Sequence, residues 1–148
     1  MDFTLTTTIK ATAKQIYKSW LSTQRHTKMT GGTAFVSDKV GEKFTAWEGY
    51  ITGKNIELEP YNKIVQSWRS SNFEDSETDS QIEILLSEND VQTTLTLKHT
   101  NVPESGDHYK KGWEEHYFAP MRNYFETLNK GNYSGFNIAI VLKALNIF

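Results

Sequence analysis

The sequence predicts one α+β domain in which a curved antiparallel sheet packs across a single long helix. The chain has 148 residues, a common size for one domain, and 37% of them are hydrophobic. Residues 33–99 show the two-residue alternation and turn residues of successive short strands. After Pro103 the hydrophobic period becomes helical. A long helix with an aromatic face must bury that face, and the sheet is the only large surface available.

A strand and two short helices open the chain. Residues 3–9 alternate between apolar and polar side chains, which predicts a half-buried strand. Thr12 and Gln15 have the spacing of a capping box, which starts a helix by satisfying free backbone donors. A second short helix is predicted over residues 23–29, and the Gly31-Gly32 pair stops it.

About six strands follow the two helices. Turn residues at 59–62 and at 88–90 separate alternating segments, and the acidic segment 70–79 predicts an exposed loop. The predicted strands cover residues 33–36, 43–47, 50–58, 64–69, 82–86 and 95–99.

The last predicted helix begins near residues 105–107 and ends before Gly131. Its apolar face is rich in aromatic residues. Pro120 lies inside it and lacks the N–H that would bond to the carbonyl of His116, so we expect a kink there. The domain therefore comprises residues 1–130, followed by a C-terminal extension, residues 131–148.

The extension is unusually apolar from residue 136 to residue 148. It is too short to span a membrane, and Lys143 interrupts it. Three interpretations remain: it folds back on its own domain, it forms a homodimer, or it docks on a partner or a membrane interface. We favour the first two, because an exposed patch of this kind promotes aggregation.

Composition argues against several classes of protein. A net charge of −2 and a pI near 6.1 disfavour a nucleic-acid partner. The chain has no cysteine, which rules out disulfides and thiolate metal sites. The N-terminus does not have the pattern of a signal peptide, and no segment is long and apolar enough for a membrane span. We therefore expect a cytoplasmic protein.

Several segments resemble a known family. Residues 41–44 (GEKF), 47–53 (WEGYITG), 57–60 (ELEP) and 64–69 (IVQSWR) are similar to the central strands of homologues of the ATPase activator of the 90-kDa heat-shock chaperone. Gly112-Trp113, Tyr117-Phe118 and Pro120-Met121 resemble the start of that family's last helix. The order and spacing agree over roughly residues 3–130.

The resemblance implies the helix-grip fold of the START/Bet v 1-like (SRPBCC) superfamily. It also implies a non-enzymatic, co-chaperone-like protein with the 90-kDa chaperone as partner. In two-domain activators the similar domain is the second, and the first supplies a basic motif. This chain starts at the first strand, so the resemblance favours binding over stimulation. Wider superfamily members hold small hydrophobic ligands between sheet and helix, so a carrier or sensor is the alternative.

Residues on the predicted sheet and helices are candidates to line such a cavity. The competing interpretation is that the same rings fill the core, because regularly spaced aromatic residues commonly pack there. His116 and Arg69 are further candidates for polar groups in the cavity. The cavity candidates are Trp20, Phe35, Trp47, Gln66, Trp68, His99, Trp113, Tyr117 and Met121.

The sequence contains no motif for metal binding or catalysis. Of its four histidines (His26, His99, His108 and His116), only the last two are near each other, and they are eight residues apart. A metal site needs three or four convergent ligands. There is no nucleophile motif and no motif that positions a carboxylate pair. We therefore expect no metal, no cofactor, no catalytic residue and no enzyme activity.

Overall fold

The structure, a computed structural model, describes residues 1–90 and 92–136, with the backbone alone over residues 131–136. It confirms the predicted α+β helix-grip fold. The elements are β1 (Phe3–Ile9), α1 (Ala13–Trp20), α2 (Thr23–Thr30), β2 (Lys43–Ala46), β3 (Ile51–Glu59), β4 (Lys63–Ser70), β5 (Ser80–Glu88), β6 (Thr93–Thr100), a 3₁₀ turn (Glu104–Gly106), α3 (His108–Trp113), a π-helical turn (Glu114–Phe118) and α4 (Ala119–Phe136).

The six strands form one antiparallel sheet in the order β1-β6-β5-β4-β3-β2. A row of apolar side chains crosses its inner face, because Ile64 lies opposite Ile84, and Ile84 lies opposite Leu97. All three are at most 1% exposed. The row forms because alternate side chains of each strand point to the same face of the sheet. Helix α1 and the last helix cover this inner face.

Helix α1 begins and helix α2 ends where their sequence signals lie. The Thr12 side chain accepts a hydrogen bond from Gln15 N, and the Gln15 side chain accepts one from Thr12 N, which completes the capping box. Gly31 ends α2 with a φ of 85°, a conformation that glycine adopts without a steric penalty.

The strand predicted at residues 33–36 is wrong, so five strands and not six follow the helices. Only Phe35 pairs with a strand, through an isolated bridge to Thr45. Side chains satisfy the neighbouring amides instead: Ala34 N donates to Thr27 Oγ1, and Val36 N donates to Thr23 Oγ1. These hydrogen bonds hold residues 33–36 against α2, so the segment does not extend the sheet.

The last helix is irregular next to Pro120, as expected from the missing N–H, and the irregularity takes the form of the π-helical turn. Ala119 N donates to Glu114 O, a π-type bond. The predicted end before Gly131 is wrong, since α4 continues to Phe136. One glycine costs a helix only about 1 kcal/mol, which does not force it to stop.

The predicted tail contacts, including a homodimer through the extension, fall mainly on residues 137–148, outside the described residues. Within the described residues, no helix combines the length and apolar character that a membrane crossing requires.

Candidate functional site

A cleft opens between the β2–β3 turn and the first turns of the last helix. Its volume is about 650 Å³, which lies in the range of small-molecule pockets. We call it the aromatic cleft, because six of its lining residues carry Trp or Tyr rings. The lining residues are Trp47, Glu48, Tyr50, Ile51, Trp68, Asn72, His108, Tyr109, Lys111, Gly112, Trp113, Glu115, His116 and Tyr117.

Three buried rings make the inner wall of the aromatic cleft. Trp68 on β4 and Trp113 on α3 lie with ring centroids 6.0 Å apart, and Tyr117 on the π-helical turn lies 4.6 Å from Trp113. Each is at most 5% exposed. Burial raises the pKa of Tyr117 above its ordinary value, so its phenol stays neutral at physiological pH. The inner wall is therefore uncharged.

The helix side of the cleft has an open position at Gly112. A Cβ built there meets only His116 Cδ2, at 3.9 Å, so the missing side chain leaves room. Four residues further on, the π-helical turn carries His116 and Tyr117 into the lining. Such turns change the direction of the following side chains and often occur at functional sites.

The sheet side of the cleft is a strained turn. Trp47 and Glu48 have φ values of 53° and 57°, and Gly49 has a φ of 89°. Left-handed backbone costs about 1–2 kcal/mol for a non-glycine residue, so surrounding contacts must hold it. Thr33 does so, because its carbonyl accepts from Glu48 N and its amide donates to the Glu48 carboxylate, both at 2.9 Å.

The turn places the Trp47 indole between Gly32 and the helix. A Cβ on Gly32 would lie 2.2 Å from Trp47 Cε3, so only glycine lets the ring lie there. On its other side the indole meets His116 and Tyr117 edge to face, at centroid distances of 5.7 and 6.0 Å. Trp47 thus joins the two irregular backbone segments across the cleft.

A buried polar chain supports the inner wall from behind. Trp113 Nε1 donates to His99 Nδ1 at 3.1 Å, which makes His99 carry its proton on Nε2. That nitrogen lies 2.9 Å from Ser80 Oγ, whose hydroxyl donates to the Trp68 carbonyl at 2.6 Å. Burial, with a smaller effect of the N-terminal ammonium, lowers the pKa of His99 to about 3.

A second polar chain lies deeper in the core. Trp20 Nε1 donates to Gln66 Oε1 at 3.1 Å, and Gln66 Nε2 donates to Asn55 Oδ1 at 2.8 Å. Asn55 donates in turn to the carbonyls of Ser37 and Lys39. These side chains satisfy one another's hydrogen-bonding groups, and none of them lines the aromatic cleft. Trp20 and Gln66 therefore fix the core and the loop that precedes β2.

The rim of the cleft carries the charged and polar groups. Lys111 and Glu115 form an ion pair at 3.6 Å, and Asn72 bonds to the Tyr50 hydroxyl. His108 and His116 stand beside them in the lining. A bound molecule would therefore meet ring surfaces inside and hydrogen-bonding groups at the mouth.

Four of the nine predicted cavity residues come together in the lining: Trp47, Trp68, Trp113 and Tyr117. The other five lie elsewhere. Trp20, Gln66, His99 and Met121 are buried behind the wall or in the core, each at most 4% exposed, whereas Phe35 is 65% exposed because the segment around it is not a strand.

Of the additional polar candidates, His116 lines the cleft. Arg69 instead pairs with Asp79 at 3.2 Å and donates to the carbonyls of Glu74 and Glu77, so it holds the acidic loop.

The missed lining residues are of two kinds. Tyr109 precedes Trp113 by four residues, so the helical period could have assigned it to the cleft. Tyr50, the first residue of the strand predicted over residues 50–58, lies instead in the β2–β3 turn, and Asn72 comes from a loop, which carries no periodic signal. Within residues 1–90 and 92–136, no group of three or more metal-ligating side chains could hold a metal ion.

Comparison with known families assigns the chain. The family model described as "Activator of Hsp90 ATPase homolog 1-like protein" matches residues 10–126, most of the chain. The chain belongs to this family.

Individual relatives agree with this assignment. The activator of 90 kDa heat shock protein ATPase homolog 2 of Mus musculus is 26% identical over 82% of this chain, but the chain spans only 37% of that protein. An HSP90 activator from Plasmodium falciparum has a TM-score of 0.73 at 23% identity, covering 80% of this chain and 91% of that one. The Aha1 dimer from Colwellia psychrerythraea has a TM-score of 0.72 at 19% identity, covering 85% and 96%.

Proposed function

We propose that this member of the family binds a small, largely apolar ring compound in the aromatic cleft. The observation that carries the proposal is the cleft itself: about 650 Å³ lined by six Trp and Tyr rings, with polar groups at its rim. Aromatic walls favour planar apolar ligands, since ring faces stack and edges meet faces. The Trp113 N–H is already bonded to His99, so the wall offers ring surface to a ligand.

The shape of the cleft gives each part a separate task in binding. Trp68, Trp113 and Tyr117 would contact the apolar body of the ligand, and the Trp47 turn would cover it. Asn72 and the Lys111–Glu115 pair would contact a polar substituent near the mouth. The proposed function is non-enzymatic: it requires binding and release only.

Filling the cleft from Gly112 tests this proposal. We expect Gly112→Leu to weaken binding of the uncharged fluorescent probe N-phenyl-1-naphthylamine at least about tenfold, because the new side chain occupies the space of the ligand. Fluorescence titration measures the affinity. Thr127→Leu, at an exposed position of α4 outside the lining, is the matched control and should bind the probe as the wild type does. Equal affinity of Gly112→Leu and wild type would refute the proposal.

A second proposed function is binding to the 90-kDa heat-shock chaperone. Family membership supports it, and so does similarity to a mouse homologue of this chaperone's ATPase activator and to a Plasmodium HSP90 activator. The domain would bind one nucleotide-dependent state of the chaperone better than the others and so shift its population toward that state. This function needs an exposed docking surface and does not need an open cleft.

A titration with the chaperone of the same organism tests this second function. We expect backbone amide shifts confined to one surface of the isotopically labelled chain, and we expect them to differ with and without an ATP analogue. Gly112→Leu should bind the chaperone as the wild type does, which separates docking from ligand binding. A flat titration at high chaperone concentration would exclude this function while leaving the ligand proposal intact.

A further inference from the structure

The charges of this chain are segregated along the sequence. Residues 3–37 contain five cationic side chains and no Asp or Glu, whereas the rest of the chain carries all 18 acidic residues against 11 Lys and Arg. Residues 3–37 are therefore basic, although the net charge of the whole chain is −2. All five cations are exposed, and we call them the basic face: Lys10, Lys14, Lys18, Arg25 and Lys28.

Two cations of the basic face, Lys18 and Arg25, line a second cavity, which we call the basic recess. Its volume is about 390 Å³, and it shares no lining residue with the aromatic cleft. Helix α1 contributes Lys18 and α2 contributes Arg25, so two cations from different helices meet at one opening. The recess is lined by Tyr17, Lys18, Leu21, Ser22, Arg25, Asp38, Pro60 and Tyr61.

A strained residue completes the basic recess. Tyr61, in the β3–β4 turn, has a φ of 69°, a conformation that is costly for a bulky side chain. Its ring meets Tyr17 edge to face at a centroid distance of 5.6 Å, and Lys14 Nζ lies 5.8 Å from the ring centroid. The recess therefore has aromatic and aliphatic walls below a cationic rim, and Tyr61 remains 39% exposed.

The cations of the basic face are not held by ion pairs within the described residues, although Lys14 lies over the Tyr61 ring. In the described part of the chain, none of the five takes part in an ion pair, whereas cations elsewhere, such as Lys63, Arg69 and Arg122, do. Asp38 is the one acidic residue in the lining of the basic recess, which also contains Lys18 and Arg25. Their charge is available to a partner.

We propose that the basic face docks an acidic segment of a partner protein, with one apolar side chain of that segment seated in the basic recess. Charge complementarity selects the acidic segment and accelerates the encounter. The Tyr17, Leu21 and Tyr61 walls suit an apolar anchor, since buried anchors beside Tyr and Arg dominate protein interfaces. The inference concerns a different surface from the aromatic cleft and depends on neither proposed function.

Other anionic partners fit this surface less well. Membrane docking requires apolar side chains that insert beside the cations, and Tyr61 is the one large exposed apolar residue at the recess among those described. A nucleic acid would bring phosphates close to Asp38 in the recess and to Glu59 at the end of β3, two residues before Tyr61. A peptide can place its acids on the cations and its apolar residue against the Tyr17, Leu21 and Tyr61 walls of the recess.

The test uses a short peptide of Glu and Asp around one Phe, titrated by isothermal calorimetry near physiological salt. We expect Lys18→Glu/Arg25→Glu to weaken binding about tenfold or more, since both cations line the recess. The matched control is Lys43→Glu/Lys54→Glu, an exposed cross-strand pair with the same charge change, which should bind far more like the wild type. Affinity should also fall as salt is raised.

The anchor is tested separately. Tyr61→Asn keeps a residue that tolerates positive φ and removes the ring, so the fold should persist. We expect it to abolish the preference for the Phe peptide over the same peptide with Ala. The proposal is overturned if both double variants bind equally, if Tyr61→Asn retains the preference, or if phosphatidylglycerol vesicles or duplex DNA bind this face more tightly than the peptide.

Discussion

Trp113→Ala is expected to destabilise the domain by about 4 kcal/mol, the middle of the range for truncating a buried aromatic side chain. Trp113 is 3% exposed and contacts the rings of Trp20, Trp68 and Tyr117. The substitution opens a cavity among these rings and also leaves His99 Nδ1 without its donor. Urea unfolding followed by far-UV circular dichroism measures the change in free energy of unfolding.

Trp113→Phe separates the two causes of this loss. Phenylalanine keeps most of the ring volume but has no N–H, so it isolates the lost hydrogen bond to His99, worth about 1–3 kcal/mol when the acceptor is left buried. Exposed Thr127→Ala on α4 should change stability by less than about 0.5 kcal/mol. A loss below about 1.5 kcal/mol for Trp113→Ala would contradict the packing role described for this residue.

The sequence left open whether the aromatic residues line a cavity or fill the core, and there is a physical reason why it could not decide. Period-two and helical patterns report which side of an element is buried. This information predicts the six strands that form the sheet, the existence of the helices and the burial of Trp68, Trp113 and Tyr117. The same patterns do not say whether a buried ring faces a cleft or the closed core. Trp20 and Met121 carry the same signal as Trp113 and lie behind the wall.

Phe35 shows the limit of local pattern most clearly. Residues 33–36 have the composition of a strand, yet their amides bond to Thr23 and Thr27 of α2 and to Glu48 of the β2–β3 turn. Those partners are up to fifteen residues away, so the sequence of the segment alone does not predict these hydrogen bonds. Tertiary hydrogen bonds thus overrode strand propensity.

The sheet side of the aromatic cleft could not be anticipated for a similar reason. Trp47 and Glu48 have no residue-type preference for positive φ, so their conformation depends on contacts with Thr33 and with the open surface of Gly32. Pro120 predicts that the last helix is irregular at this point, but a proline does not predict that the irregularity is a π-helical turn. Both features depend on the assembled domain.

Acidification from pH 7 to pH 5 is expected to destabilise the domain by about 2 kcal/mol through His99 alone. The unfolded chain binds a proton on this imidazole near pH 6.5, whereas burial lowers the pKa in the folded state to about 3. Between these two values the unfolded state holds more protons, so the free energy of unfolding falls by up to about 1.4 kcal/mol for each pH unit lost. Stability is thus retained above pH 6.5.

The geometry explains why His99 resists protonation and how to test it. A proton on Nδ1 would oppose the Trp113 N–H at 3.1 Å, and it would bring a charge into a fully buried site. His99→Asn retains an acceptor and a donor but does not titrate, so its urea unfolding should depend less steeply on pH between 7 and 5 than that of the wild type. Burial also lowers the pKa of His26, so a smaller slope of the same sign should persist in this variant.

Exposed His108→Asn is the control for this prediction. It removes an imidazole from an exposed position and so controls for the loss of a histidine side chain as such. If His99→Asn and wild type lose equal stability on acidification, the buried imidazole is not the group that couples folding to pH. If the slope falls only in His99→Asn, the hydrogen-bonded chain from Trp113 through His99 to Ser80 holds the inner wall of the aromatic cleft together in its neutral form.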